Sequence, residues 1–424
     1  MKKLLLVTSA IVAAGAFTSE AFAQAKPVTL SVGGYWGSFF VYNFNQKDDI
    51  PVPTATVPRS GGYDRRGRAF ASTGEIQFKG STTLDNGLQV GAQIELEADV
   101  DADQIDEAWI DFRGSFGRVI LGKFDPVVRE LTRSAPNAIR GGNTELVSIN
   151  EQGFITHPQT AVGAAGGLGA NVGNNAGANF STLGGFTTSD GDKIYWMSPT
   201  FSGFNLSVSY MPRAIEYNTT GGAPSLFAQT QGAGLADFID VGLEYNGKLG
   251  DVGVSAAIAV ETAKPEGSLV FGGTAAATAV VADGQQFAGT ASGILTFGDF
   301  KVGGALRYAP YNIKSTNVAG AALAAGSRDK LDIIVWEAGV SYDLDAWRFA
   351  ATVTGGSDET LSNSLLGGEV EKRAYMLSTS YLLGPGVAAI GGLIYEKFDY
   401  KSGTAAPSVD NKGTTAIVGL GVGF

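Results

Sequence analysis

Cysteine is absent from this sequence of 424 residues, and histidine occurs once, at His157. Without cysteine, neither a disulfide framework nor a thiolate metal site can form. Charged residues make up only 17 % of the chain, and acidic residues outnumber basic ones by 41 to 30. An acidic surplus argues against a nucleic-acid partner, because binding phosphates requires basic patches. We therefore predict no nucleic-acid partner, and the sequence indicates no cofactor.

At the N-terminus, Lys2 and Lys3 precede an apolar run at residues 4–16 and a small-x-small site that ends at residue 23. This order is typical of a secretory signal peptide. We predict that residues 1–23 are cleaved and that residues 24–424 form one exported domain. A membrane-anchoring helix is the alternative, and the shortness of the apolar run disfavours it.

Long apolar runs are also missing from the rest of the chain, where no stretch of about 18 or more apolar residues occurs. A membrane-spanning helix is therefore not expected. Two classes remain, a soluble β-protein and a transmembrane barrel, whose strands need only about 9–11 residues each.

What the chain does have is strict alternation of apolar and polar residues, which is clearest in residues 75–99. Ile94 and Leu96 alternate there with Glu95 and Glu97. Because successive side chains of a strand point to opposite faces, one face is apolar and the other is charged. In a barrel, Ile94 and Leu96 would face lipid, while the two glutamates would face water inside a pore. Alternation alone fits a soluble sandwich equally well.

The same unit recurs until the chain ends, giving about sixteen strands. Among them are residues 238–245, followed by a predicted turn at residues 247–250, and residues 286–297 and 332–342. Sixteen is an even number typical of single-chain outer-membrane barrels. Turns of about two to six residues alternate with connections of about ten or more, as expected for short periplasmic turns and long external loops. Aromatic residues occupy strand ends on the apolar phase, as membrane interfaces require: Trp36, Tyr210, Tyr245, Phe297, Tyr308, Tyr342, Trp347, Tyr381, Tyr395 and Phe424. We predict an all-β transmembrane antiparallel barrel. A large secreted β-protein with these aromatics in its core is the alternative.

Several segments carry a resemblance to a known family. Residues 195–203 read Tyr-x-x-Ser-Pro-x-Phe-x-Gly, residues 107–110 and 116–123 form matching strand segments, and the last strand ends on Phe424. With these features the mature chain resembles the trimeric general porins of Gram-negative outer membranes. The chain departs from the family pattern two residues before its final phenylalanine, where Val422 stands in place of the aromatic residue often found in these porins. The resemblance implies a homotrimer of sixteen-stranded barrels, in contact with outer-membrane lipid, whose C-terminal phenylalanine serves assembly.

The resemblance also implies that the third external loop folds into the lumen and narrows it. The matching loop here is residues 124–192, after the fifth strand. The charged residues expected at the constriction are Asp125, Arg129, Glu130, Arg133, Arg140 and Glu145. The charged residues expected on the pore wall are Lys79, Glu95, Glu97, Asp111, Arg113, Lys301, Arg307 and Arg348. Opposed charges across a narrow gap filter solutes by charge and polarity. The alternative is that some loop charges pair only within the loop.

The predicted function is a porin channel in the cell outer membrane, through which small hydrophilic solutes and ions diffuse passively. Acids outnumber bases on the polar phase, which predicts a weak cation preference. A sugar-selective porin is the first alternative, and Tyr35 and Phe39 on the polar phase of the first strand would mark it. A barrel enzyme or adhesin is a further alternative. No nucleophile motif surrounds His157, so an enzyme is disfavoured.

Overall fold

The computed structural model describes residues 27–44, 67–98, 105–138, 191–213, 234–266, 278–317, 330–359, 369–401 and 409–424. The predicted signal peptide lies outside these residues, as do Arg140, Glu145 and His157. No helix in the described part of the chain is long and apolar enough to cross a membrane.

The described residues form seventeen strands and one four-residue helix. The strands are β1 (Thr29–Phe44), β2 (Arg68–Thr83), β3 (Gln89–Glu97), β4 (Ile105–Gly114), β5 (Gly117–Lys123), β6 (Asp192–Met197), β7 (Phe204–Arg213), β8 (Gly234–Leu249), β9 (Val252–Glu266), β10 (Thr278–Ala282), β11 (Gln286–Phe297), β12 (Phe300–Asn317), β13 (Lys330–Leu344), β14 (Trp347–Asp358), β15 (Glu369–Gly384), β16 (Val387–Lys401) and β17 (Val409–Gly423). The helix α1 (Val127–Glu130) follows β5.

The sheet closes on itself as a barrel. Neighbouring strands pair antiparallel around the wall, and β17 pairs with β1. At the seam, the backbone N–H groups of Gly34 and Phe424 each donate to the other's carbonyl at 3.0 Å. Strand β10 pairs with β12 beyond the end of β11, so β10 and β11 occupy one position in the wall. The wall therefore has sixteen strand positions. In the described part of the chain, every strand except β10 pairs with a neighbour on each side, as a sheet in hydrocarbon requires.

Short turns lie at one end of the barrel and long connections at the other. Two-residue turns join β8 to β9 and β11 to β12, for example. Gly298, in the second of these turns, has φ 58, the left-handed conformation that tight hairpins need and that glycine adopts without strain. The short turns mark the periplasmic end, and the long connections mark the external end.

The two faces of the wall follow the predicted alternation. In β3, the side chain of Ile94 is 49 % exposed on the outer face, while Glu95 on the inner face is 5 % exposed. Apolar residues cover the outer face around the barrel, with aromatics near both ends; among them are Trp36, Tyr308 and Tyr395. The predicted transmembrane antiparallel β-barrel is therefore confirmed.

The inner face differs from expectation in not being polar throughout. Buried apolar side chains from β1, β15, β16 and β17 form one inner cluster. Its larger members are Phe39, Met376, Ile390, Ile394 and Ile417. A second cluster lies near the external ends of β7, β8, β11, β12 and β13 and includes Met211, Phe238, Tyr311, Leu331 and Ile333. Charged residues therefore line only part of the inner wall.

Candidate pore constriction and inner wall

The segment at 124–138 lies along the inner face of the barrel. Its backbone hydrogen-bonds to inward side chains of distant strands. The N–H of Val127 donates to Oδ2 of Asp240 in β8 at 3.3 Å, and the N–H of Ala135 donates to Oε1 of Glu337 in β13 at 2.7 Å. The N–H of Ala138 donates to Ser378 Oγ in β15 at 3.3 Å. The segment thus passes from β5 across the wall as far as β15.

Helix α1 is held by its apolar side. Val127, Val128 and Leu131 are fully buried against inward side chains of β5, β6 and β9, among them Ile120 and Tyr195. The helix begins after Pro126, whose fixed φ of −68 suits a helix start.

Gly242 of β8 makes the close approach of α1 to the wall possible. A Cβ atom at this position would lie 2.5 Å from Leu131 Cδ1 and 2.6 Å from Val127 Cγ1. Any larger residue would therefore require the side chains of Leu131 and Val127 to shift away from β8.

Two arginines share one buried carboxylate beside this segment. Oδ2 of Asp111 accepts hydrogen bonds from Nε of Arg113 and Nε of Arg118, each at 2.6 Å. Asp111 is 1 % exposed, whereas the side chain of Arg113 is 50 % exposed. The guanidinium of Arg118 also lies over the rings of Trp109, at 4.9 Å, and Phe124, at 5.8 Å, a favourable cation–π geometry. In this arrangement the acid is buried and the guanidinium groups face the lumen.

Arg133, three residues after the end of α1, also pairs with a buried acid. Its Nη2 pairs with Glu244, an inward side chain of β8 that is almost fully buried. Its Nη1 donates to the carbonyl oxygens of Glu130 at 3.1 Å and Leu131 at 3.0 Å, and its Nε donates to Ser255 Oγ at 3.3 Å. These bonds fix the guanidinium and cap the end of α1.

The remaining predicted loop charges in the described part of the chain are Arg129 and Glu130 in α1, and Asp125, which precedes Pro126. Arg129 pairs with Asp125 at 3.2 Å. Glu130 is exposed to the lumen. Enclosure by the barrel raises the pKa of the Glu130 carboxyl, and the guanidinium groups of Arg118 and Arg133 oppose that shift.

The predicted wall residues occupy different environments. Lys79 is exposed on the inner face and Lys301 is half-buried. Arg348 forms a two-pronged ion pair with Asp343 near the periplasmic end, with N–O distances of 2.6 and 2.8 Å. Arg307 is only 4 % exposed, so it contributes little accessible charge.

The predicted acids of β3 belong to an acidic group. Glu97 is half-buried opposite Glu75, and Glu95 accepts a hydrogen bond from Gln93 at 2.9 Å. Carboxylate oxygens of Glu75, Glu95 and Asp106 lie within 4.8 Å of one another.

Sequence reasoning missed Arg118 and Asp343. Arg118 shares its phase with the apolar Ile120, so alternation gave no signal for it. Asp343 follows the predicted end of its strand at Tyr342, yet β13 continues to Leu344.

A closed sixteen-position barrel with an apolar outer face, and a chain segment laid across a partly charged inner face, defines the class of outer-membrane channels. The chain belongs to the Gram-negative porin family, whose model matches residues 8–401. It is therefore an outer-membrane porin. No curated protein sequence matches this chain significantly.

Solved structures of outer-membrane proteins have the same fold. The anion-selective porin from Comamonas acidovorans is 16 % identical, with a TM-score of 0.55, covering 94 % of this chain and 100 % of its own. OmpT of Vibrio cholerae in its trimer form is 12 % identical, with a TM-score of 0.56 and the same coverage. The channel DcaP of Acinetobacter baumannii is 12 % identical, with a TM-score of 0.54, covering 96 % of this chain and 99 % of its own.

Proposed function

We propose that this porin lets small hydrophilic solutes and ions diffuse passively through its lumen, and that it catalyses no reaction. The observation that carries the proposal is the segment at 124–138, which lies inside the barrel beside accessible charged side chains. Such a segment narrows the path, and charges beside a narrow path discriminate between solutes. The constriction residues are Asp125, Arg129, Glu130 and Arg133, with Arg113 and Arg118 on the wall beside them.

The charge preference we propose is for anions, opposite to the weak cation preference predicted from composition. Near α1 the acids Asp111 and Glu244 are buried behind their arginine partners. The exposed parts of the side chains are then mostly guanidinium, with Glu130 and the partly exposed Asp125 as the accessible acids. A solute in the lumen approaches the guanidinium groups closely. The buried acids lie behind these groups and are further from the solute. The structurally similar porin from Comamonas acidovorans is anion-selective, which agrees with this direction.

We also propose a homotrimer, which the resemblance to general porins implies and which the trimer form described for the Vibrio cholerae protein supports. A sugar-selective lumen is less well supported. Phe39, which would belong to an aromatic path for sugars, is 3 % exposed within the inner apolar cluster.

Planar-bilayer recording of the purified protein in unequal KCl concentrations tests the proposal. We expect stepwise conductance and a reversal potential of the anion-preferring sign. The triple variant Arg113→Gln, Arg118→Gln, Arg133→Gln should move that potential toward the cation-preferring side. Absence of conductance would contradict the channel. Conductance with a cation-preferring sign in the wild-type protein would contradict the charge preference alone.

A further inference from the structure

The inner wall at Trp109 carries groups of opposite charge on two sides of one indole ring. Along β4, Glu107 and Trp109 share the inward phase with Asp111, whereas Ile110 is exposed on the outer face. Trp109 Nε1 donates to Oε2 of Glu107 at 3.0 Å, and the guanidinium of Arg118 lies 4.9 Å from the centre of the same ring. A carboxylate at the edge of the ring and a guanidinium over its face are therefore held one indole apart.

The basic side of this arrangement has unused hydrogen-bond donors. Arg113 and Arg118 each use Nε to bind Asp111. Within the described ranges, the Nη groups of these two arginines donate to no other residue, and the side chains are 50 % and 23 % exposed. A planar guanidinium with both Nη groups available binds a carboxylate through two parallel hydrogen bonds. The carboxylate of a solute can therefore be bound here, while Asp111 fixes the two arginines from behind.

The acidic side consists of four carboxylates. Nε2 of Gln93 donates to Oε2 of Glu95 at 2.9 Å and to Oε2 of Glu107 at 3.2 Å. Carboxylate oxygens of Glu75, Glu95 and Asp106 lie within 4.8 Å of one another. Glu95 is buried, whereas Glu75, Asp106 and Glu107 are half-buried and can be reached from the lumen. A wall lined by one sign of charge attracts groups of the opposite sign, so this side favours an ammonium group.

We propose that this part of the inner wall binds zwitterionic solutes, namely amino acids and short peptides, with the ammonium group at Glu107 and the carboxylate at Arg118 and Arg113. Charge-assisted hydrogen bonds of about 2.7–2.9 Å at each end let a solute of this size span the two sides. The spacing is fixed, because Trp109 is bound to Glu107 and packs edge-on against Phe124, with ring centres 5.9 Å apart. The inference rests on the proposed channel function and names a class of solute for the same lumen.

Ligand-observed NMR titration of the detergent-purified protein with glycylglycine tests the site. Two analogues of similar size each lack one charge: N-acetylglycine has no ammonium group, and glycylglycinamide has no carboxylate. We expect glycylglycine to bind about tenfold more tightly than either analogue, because each analogue loses hydrogen bonds between charged groups.

Two variants should respond in opposite ways to the two analogues. Glu107→Gln should weaken the binding of glycylglycine about tenfold and leave that of N-acetylglycine unchanged or stronger. Arg118→Gln should weaken the binding of glycylglycine and N-acetylglycine but not that of glycylglycinamide. A general disturbance of the wall would instead weaken all three alike. Arg348→Gln, at an inner-wall arginine that pairs with Asp343 near the periplasmic end, is the matched control and should change none of them.

Equal affinities of the wild-type protein for glycylglycine and N-acetylglycine would indicate an anion site only and would overturn the proposal. Equal binding of glycylglycine by Glu107→Gln and the wild-type protein would also overturn it. If Arg118→Gln does not fold, Arg118→Lys keeps the charge without the planar fork and should weaken carboxylate binding in the same direction. Because the titration requires no conduction, zwitterion binding without conductance would contradict the channel alone. Conductance without zwitterion binding would contradict this inference alone.

Discussion

Charged side chains are organised differently on the two faces of this barrel. Inside, beside α1, each arginine has an acidic partner from its own chain: Asp111 lies between Arg113 and Arg118, and Glu244 pairs with Arg133. Outside, near the external end, Arg373, Lys397 and Lys412 stand opposite one another on β15, β16 and β17. The difference indicates which charges the protein neutralises itself. The inner charges are positioned by buried acids and face water, while of the three outer charges only Lys397 has an ion pair in the described part of the chain, with Asp399.

The largest effect we expect comes from placing a charge on the wrong face. Phe78→Arg, on the outer face of β2, should lower the free energy of unfolding by about 2 kcal/mol or more, because a guanidinium in hydrocarbon loses its hydration. Gln77→Arg, one residue away on the inner face, should change it little. Urea titration of the folded fraction in lipid vesicles measures both. Equal destabilisation by the two variants would contradict the assignment of faces.

The strands themselves could be predicted well from alternation. The prediction for β11, residues 286–297, matches the observed bounds. The prediction for β8 ended too early, at Tyr245, because residues 247–250 have the composition of a turn. The strand instead continues to Leu249, and Gly250 with φ 62 supplies the positive dihedral that a two-residue turn needs.

The inner wall could be predicted only in part. Met376 and Ile394 alternate with the outward residues Leu377 and Leu393, so both faces of these strands are apolar and periodicity does not tell them apart. Likewise, the pairing of Arg118 with Asp111 depends on the register between β4 and β5, which brings Arg113 opposite Arg118. Alternation says which face a residue occupies, and tertiary packing decides which residues meet there.

A smaller effect should follow from removing one buried acid beside the arginines. Asp111→Asn leaves the guanidinium groups of Arg113 and Arg118 without their shared carboxylate. The ratio of chloride to potassium permeability should rise several-fold, which corresponds to about 1 kcal/mol for one unit charge at close range in water. Reversal potentials in a KCl gradient measure the ratio. Asp237→Asn removes an exposed acid of the outer face and serves as the control, for which no change is expected.

A fall in the permeability ratio for Asp111→Asn would show that the buried acid holds the arginines in their effective positions more than it cancels their charge. An equal rise for Asp237→Asn would contradict the separation of inner and outer charges.

The smallest effect should come from a single methyl group at Gly242. In Gly242→Ala, the added Cβ meets side-chain carbons of Leu131 and Val127 at distances too short for unstrained packing, and we expect this contact to displace α1 from β8 toward the lumen. Because the helix moves toward the open path, single-channel conductance should fall while the sign of selectivity is kept. Gly293→Ala in β11, where the nearest atom lies at 3.5 Å, is the matched control and should conduct as the wild type does. If both variants conduct equally, the position of α1 does not set the width of the path, and the constriction must be sought elsewhere along the inner wall.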